Sequence, residues 1–184
     1  MEPIFTIQYG EFVVADYLSK NIKGASLFIP ASAQEKGIDL LLYRYVNGCN
    51  TTNTIQVKMS RTYYSEKPVN GCLYHLWFNR FSVQANANWY ILVGIYSKRP
   101  DNPQNAKANS TSWDTIMLAF TRKEMTAFMS EVKLKKNPEK DDKMFGFSFN
   151  DEKSVFQTRG YSDIRDMSCY RIDNRLEEIK NSFI

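Results

Sequence analysis

The chain has 184 residues, of which 43% are hydrophobic and 14% aromatic, and its formal net charge is +4 at neutral pH. That length suits one domain with a real core, and the composition excludes a disordered, charge-dominated chain. The charge is compatible with a polyanionic partner but too small for a protein that coats DNA by charge alone.

The N-terminus has no basic segment followed by an apolar stretch, and the longest apolar runs, near Ile38–Tyr43 and Trp89–Val93, fall well short of the roughly 20 residues a membrane helix needs. The expectation is a soluble, cytoplasmic protein without a membrane partner. Cys49, Cys72 and Cys169 are widely spaced and include no C-x-x-C pair, which predicts reduced thiols rather than a disulfide framework.

Tyr9–Lys20 has Val14, Ala15 and Leu18 on one arc and Asp16, Ser19 and Lys20 on the other, which predicts a helix. Ala25–Ile29 and Ile38–Val46 read as strands. The second is apolar on both faces and should lie in the middle of a sheet. Asn47–Asn53 is turn chemistry, and Thr54–Ser60 is a third strand forming a hairpin with the second. Leu73–Phe81 and Trp89–Ser97 are β-prone and aromatic. The polar stretch 98–112 is a long loop, read as an insertion rather than a lid. Trp113–Phe120 resumes as a strand. Thr121 and Glu124 then form a capping box that opens a helix with Met125, Phe128, Met129 and Val132 on one face. Residues 133–143 are a charged connector, and Arg171–Phe183 is a last helix. No repeat or domain boundary interrupts this order, so residues 1–184 are expected to form a single domain.

Four side chains stand out chemically. Glu11 projects from the arc of the first helix that ought to be buried. There it either compensates the helix dipole in the first turn or faces a cation or a lysine. Asp39 is the only charge in Ile38–Leu42, at the mouth of the central strand. In Ile55–Met59 the period of two sends Gln56 and Lys58 to one face and the apolar residues to the other. With the turn over Asn47–Thr52, Val46 faces Asn53 and Asp39 lies opposite Ser60, on the face of Gln56 and Lys58; a slip of one residue would separate them. Oxygen ligands from Asp39, Gln56 and Glu11 suit a hard cation, and Lys58 beside it suits the stabilisation of a phosphodiester transition state.

Read in order, Gly10-Glu11, then Gly37-Ile38-Asp39-Leu40-Leu41, then Ile55-Gln56-Val57-Lys58, the chain resembles the PD-(D/E)XK nucleases, the restriction-endonuclease-like and Holliday-junction-resolvase-like enzymes, in a Q-x-K variant. The match covers residues 9–60 well and the remainder loosely. It implies an α/β fold: a restriction-endonuclease-like core with a mixed central sheet flanked by helices in αβββαβ order. It also implies Asp39 as central metal ligand, Gln56 as second ligand, Lys58 as catalytic lysine, Glu11 as the helix carboxylate, magnesium or manganese as cofactor, DNA as substrate and partner, and self-association as a homodimer. Ile38 replaces the proline of the family's name. Gln56 replaces an acid, which weakens metal binding and leaves a catalytically silent DNA-binding or protein-interaction module as the alternative to a metal-dependent deoxyribonuclease of defence or repair.

Arg61, Lys67 and Arg80 are the expected DNA contacts, with Arg61 placed beside the metal site, and Lys98 and Arg99 border loops nearby. The single histidine, His75, excludes zinc clusters of several histidines and reads as structural or surface. No P-loop, dinucleotide or nucleophile-elbow motif is present. Trp77, Phe78, Phe81, Trp89 and Tyr90 read as core aromatics rather than a base-stacking platform.

Overall fold

The structure is a computed structural model and describes residues 9–30, 36–97, 113–133, 143–150 and 154–183. The polar loop at 98–112 and most of the charged connector at 133–143 lie outside these. The architecture is mixed α/β. The helices are α1 (Tyr9–Asn21), α2 (Arg122–Glu131) and α3 (Ile172–Asn181). The strands are β1 (Ser26–Phe28), β2 (Leu40–Val46), β3 (Cys49–Val69), β4 (Cys72–Asn79), β5 (Trp89–Ser97), β6 (Trp113–Thr121), β7 (Met144–Phe149), β8 (Val155–Arg159) and β9 (Arg165–Asp166). A short 3-10 helix, Ser168–Tyr170, precedes α3. Among the described residues no helix is long and apolar enough to cross a membrane.

The sheet forks at β3. Its first half pairs with β2 on one side and, in parallel, with β5 on the other; β5 then pairs with β6. From Thr62 onward it pairs with β4, which leads through β7 and β8 to β9. Every pairing except β3 with β5 is antiparallel. The expected order places a crossover helix after the third strand. Here the connection back to the parallel neighbour is the β3–β4 hairpin and the loop at 80–88, because β3 does not stop at Ser60 but runs on with alternating Thr62, Tyr63 and Tyr64.

The turn before β3 also differs from expectation. It is the two residues Asn47 and Gly48, both left-handed at φ 52° and 80°, so Val46 pairs with Cys49. Asn-Gly supplies the mirror-image turn whose twist matches two antiparallel strands. The polar residues Asn50–Asn53 are thereby free to pair rather than loop. Tyr43 donates its hydroxyl to Asn50 at 2.6 Å, and the buried Asn53 amide donates to the Ser182 hydroxyl at 2.8 Å.

Two cores sit on either side of the first wing. On one face Leu40, Leu42, Ile55, Val57, Trp89 and Ile91 pack with Val14 and Leu18 of α1 and Ile172 and Ile179 of α3. On the other, Tyr90, Leu92, Leu118 and Phe120 meet Leu76, Phe145, Phe147 and Phe149 of the second wing, with Met125, Phe128 and Met129 of α2 closing the layer. Trp89 and Tyr90 are thus core aromatics, as are Phe78 and Phe81; Trp77 is not. The capping box at Thr121 is complete: its hydroxyl accepts from the Glu124 N–H at 3.2 Å and the Glu124 carboxylate accepts from the Thr121 N–H at 2.8 Å. The same carboxylate meets Arg175 of α3 at 2.6 Å, tying the two helices together.

Candidate functional site

Three of the residues singled out in the sequence gather on one wall. Gln56 and Lys58 pair in parallel with Tyr90 and Leu92 of β5, so the pleat turns them toward the same side of the sheet. They line a cleft of about 250 Å³ together with Asn79, Arg80, Ser82 and Gln84 from the end of β4 and the loop after it. Arg80 takes the left-handed region at φ 52°, uncommon for a residue with a Cβ, and the kink places its side chain at this cleft. Lys58 and Arg80 are exposed, neither makes an ion pair with a described residue, and no carboxylate is among the described residues that line the walls. The cleft therefore carries positive charge.

Gln56 is 4% exposed, and its Oε1 is buried with no hydrogen-bond partner. A buried carbonyl without a donor or cation costs about 1–3 kcal/mol relative to one that is satisfied. It is an unused acceptor on a residue that lines the cleft.

Asp39 reaches the same stretch of β3 by a different route. Leu40 pairs with Ile55, yet the Asp39 N–H donates to that same Ile55 carbonyl at 2.9 Å, so two residues of one strand face one of the other, as in a bulge. The Asp39 carboxylate then accepts the Val57 N–H at 2.7 Å, a ladder position that a main-chain carbonyl would otherwise take. It thus lies in the plane of the ladder between the positions of Gln56 and Lys58. The expected pairing with Ser60 is corrected: the turn shorter than Asn47–Thr52 shifts the register by four residues, and the bulge moves Asp39 one further, onto Ile55. Asp39 does not line the cleft itself.

Glu11 is half-buried near the start of α1. Its neighbour Gly10 lies so close to β3 that a Cβ there would stand 3.0 Å from the Met59 Cβ. The absence of a side chain at position 10 is what lets α1 begin against β3 one residue from Lys58. The helix covers the Ile55–Val57 face, however, which is opposite to that of Gln56 and Lys58. Arg61 does not share the side of Lys58: the β3–β5 register is unbroken to Arg61, so the pleat groups it with Met59. Lys67 lies nine residues beyond Lys58, toward the hairpin tip. Asn79, Ser82 and Gln84 were not anticipated, and only their turn-like composition marked them in the sequence.

Among the described residues no three His, Cys, Asp or Glu side chains converge to hold a metal ion. The Gln56 carbonyl and the Asp39 carboxylate beside Val57 are hard oxygen ligands of the kind magnesium takes. His75 lies on β4 with Nδ1 2.7 Å from the Ser148 hydroxyl and Nε2 buried without a partner; burial pushes its pKa down. The cysteines are free, and burial pushes the Cys72 thiol up. No protein-family model matches this chain, and no curated protein or solved structure matches it either.

Proposed function

We propose that the cleft beside Lys58 is the centre of a metal-dependent nuclease acting on DNA. The observation that carries this reading is the unpartnered carbonyl of Gln56, a residue lining a cationic cleft, with the Asp39 carboxylate held one residue away on the ladder. A restriction-endonuclease-like core is supported by the run α1, the antiparallel meander β1–β2–β3, and a parallel strand beside β3. The hairpin in place of a crossover helix is this chain's departure from it.

In this reading Asp39 and Gln56 offer oxygen ligands, and a bound magnesium or manganese ion supplies an activated water and offsets charge on the phosphorus oxygens. Lys58, without an ion pair to any described residue, orients the nucleophile and stabilises the negative charge of the transition state. Arg80 contacts a neighbouring phosphate. The cleft, without a carboxylate on its described walls, draws in a polyanion.

The test is cleavage of duplex, branched and single-stranded DNA with magnesium or manganese. Asp39→Asn is the informative control, since it removes the charge while keeping an acceptor for the Val57 N–H. Lys58→Met is the second. Cleavage that persists in both variants refutes the assignment. A second reading, a silent nuclease fold that binds DNA without cutting it, is favoured by the neutral side chain at position 56 and by the lack of a three-ligand acidic cluster among the described residues. Calorimetry separates the two: DNA binding without any metal binding selects the silent module.

A further inference from the structure

The face of the second wing turned away from the core carries a groove of about 420 Å³ that the proposed chemistry does not use. Its residues are aligned across four strands. Tyr63 of β3 pairs with His75 of β4, Trp77 of β4 pairs with Gly146 of β7, and Gly146 pairs with Arg159 of β8. Their neighbours Leu76, Phe147 and Phe149 point the other way, into the core.

Tyr63 stacks on Trp77 with ring centroids 4.7 Å apart and planes 18° from parallel, and the Arg159 guanidinium stands 4.5 Å from the Trp77 ring centre. Tyr63 approaches Trp77 from the neighbouring strand on one side, and Arg159 from two strands away on the other. Trp77 is therefore the middle of a stack whose outer end, Tyr63, is 47% exposed. Gly146 keeps the floor clear: a Cβ there would stand 3.0 Å from the Trp77 Cβ and 2.7 Å from the Leu76 carbonyl oxygen. The described lining includes no carboxylate, and Arg159 is its one formal charge. One step along the β3–β4 register from the Thr62–Leu76 pair, the exposed Arg61 falls across from Trp77.

An exposed aromatic end on a stack that a guanidinium closes at its other end, with no acid in its lining, fits a base whose face is uncovered and whose phosphates are near. Bases inside a duplex offer no such face, whereas unpaired ones stack on tyrosine with little regard to sequence. We infer that this groove binds a single-stranded stretch of DNA, with a base added to the stack on Tyr63 and phosphates held by Arg159 and Arg61. Trp77 lines both this groove and the Lys58 cleft. The identity of the ligand as DNA rests on the nuclease reading; the preference for unpaired bases rests on the groove alone.

The experiment is fluorescence anisotropy with a labelled oligodeoxythymidine of about 20 nucleotides and a duplex of equal length, in EDTA, on the otherwise intact Asp39→Asn protein. The oligothymidine is expected to bind more tightly than the duplex. Tyr63→Ala is expected to weaken oligothymidine binding about 5- to 100-fold, and Tyr63→Phe to restore it. Arg159→Ala lowers the magnitude of the salt slope by about 0.7. Equal binding of duplex and single strand, or affinity untouched by Tyr63→Ala, overturns the inference. Because no cleavage is read, a failed nuclease assay leaves this result interpretable. Cleavage of DNA with binding indifferent to Tyr63 sinks this inference alone.

Discussion

Replacing Gln56 by Met separates the cost of the open carbonyl from its use. The side chain is 4% exposed, its Oε1 has no partner, and its strand neighbour across β3–β5 is the fully buried Tyr90. Met matches the length and flexibility of Gln but brings no acceptor, so the burial cost of an unsatisfied carbonyl, about 1–3 kcal/mol, is relieved. In EDTA the variant should be more stable than wild type by about 1–2 kcal/mol. With a urea dependence near the upper end for small proteins, about 3 kcal/mol per molar, that moves the midpoint up by roughly half a molar. Adding magnesium should narrow the gap. A cation bound ten times above its dissociation constant stabilises wild type by about 1.4 kcal/mol and the variant by less. Equilibrium urea unfolding with and without the metal reads both quantities. A variant less stable than wild type in EDTA refutes the view of Gln56 as an unsatisfied acceptor. An identical magnesium response in the two proteins refutes its role as a ligand.

Other perturbations test the surroundings. Asp39→Ala removes the acceptor of the Val57 N–H and should cost about 1–3 kcal/mol, while Asp39→Asn should cost clearly less; equal losses by thermal unfolding would mean that the hydrogen bond contributes nothing. His75 is the one histidine, and burial lowers its pKa in the folded state, so the unfolded chain takes up a proton first as pH falls below about 6.5. Stability present at pH 7.5 should therefore decline between about pH 6.5 and the lower folded pKa, and His75→Gln should flatten that slope in denaturation series. Glu124→Ala removes both the α2 capping partner and the contact to Arg175, and a loss of about 2 kcal/mol by urea unfolding is expected; Glu124→Gln, which keeps the cap, should lose less.

Much of the fold was legible because it follows from short-range rules. The arc of Val14, Ala15 and Leu18, the Thr121–Glu124 box and the apolar stripe of α2 depend on residues three or four apart, and each appears as read. The parity of Gln56 and Lys58 is equally local: a pleat of period two puts them on one side whatever the strand pairs with. The Asn47-Gly48 turn is also present in the sequence, but the polar residues after it read as loop because their partners, Ser182 and the hydroxyl of Tyr43, lie far away or across the hairpin. The strands β7, β8 and β9 were missed for a related reason. Met144–Phe149 is a short apolar run interrupted by Gly146, whose place is explained only by the Leu76 carbonyl and Trp77 packed against it.

Sequence alone determined which side chains alternate, where helices begin, and that Gln56 and Lys58 share one side of the sheet. Tertiary structure alone decided that Arg80 joins them, that the Asp39 carboxylate replaces a ladder carbonyl, and that Arg61 pairs along β5 on the side of Met59 rather than of Lys58. The division is physical. Side-chain direction within an element repeats every two residues or every 3.6, and a local stretch encodes it. Which elements meet, and in what register, depends on turns and contacts between distant residues, where a turn a few residues shorter moves every partner along the strand.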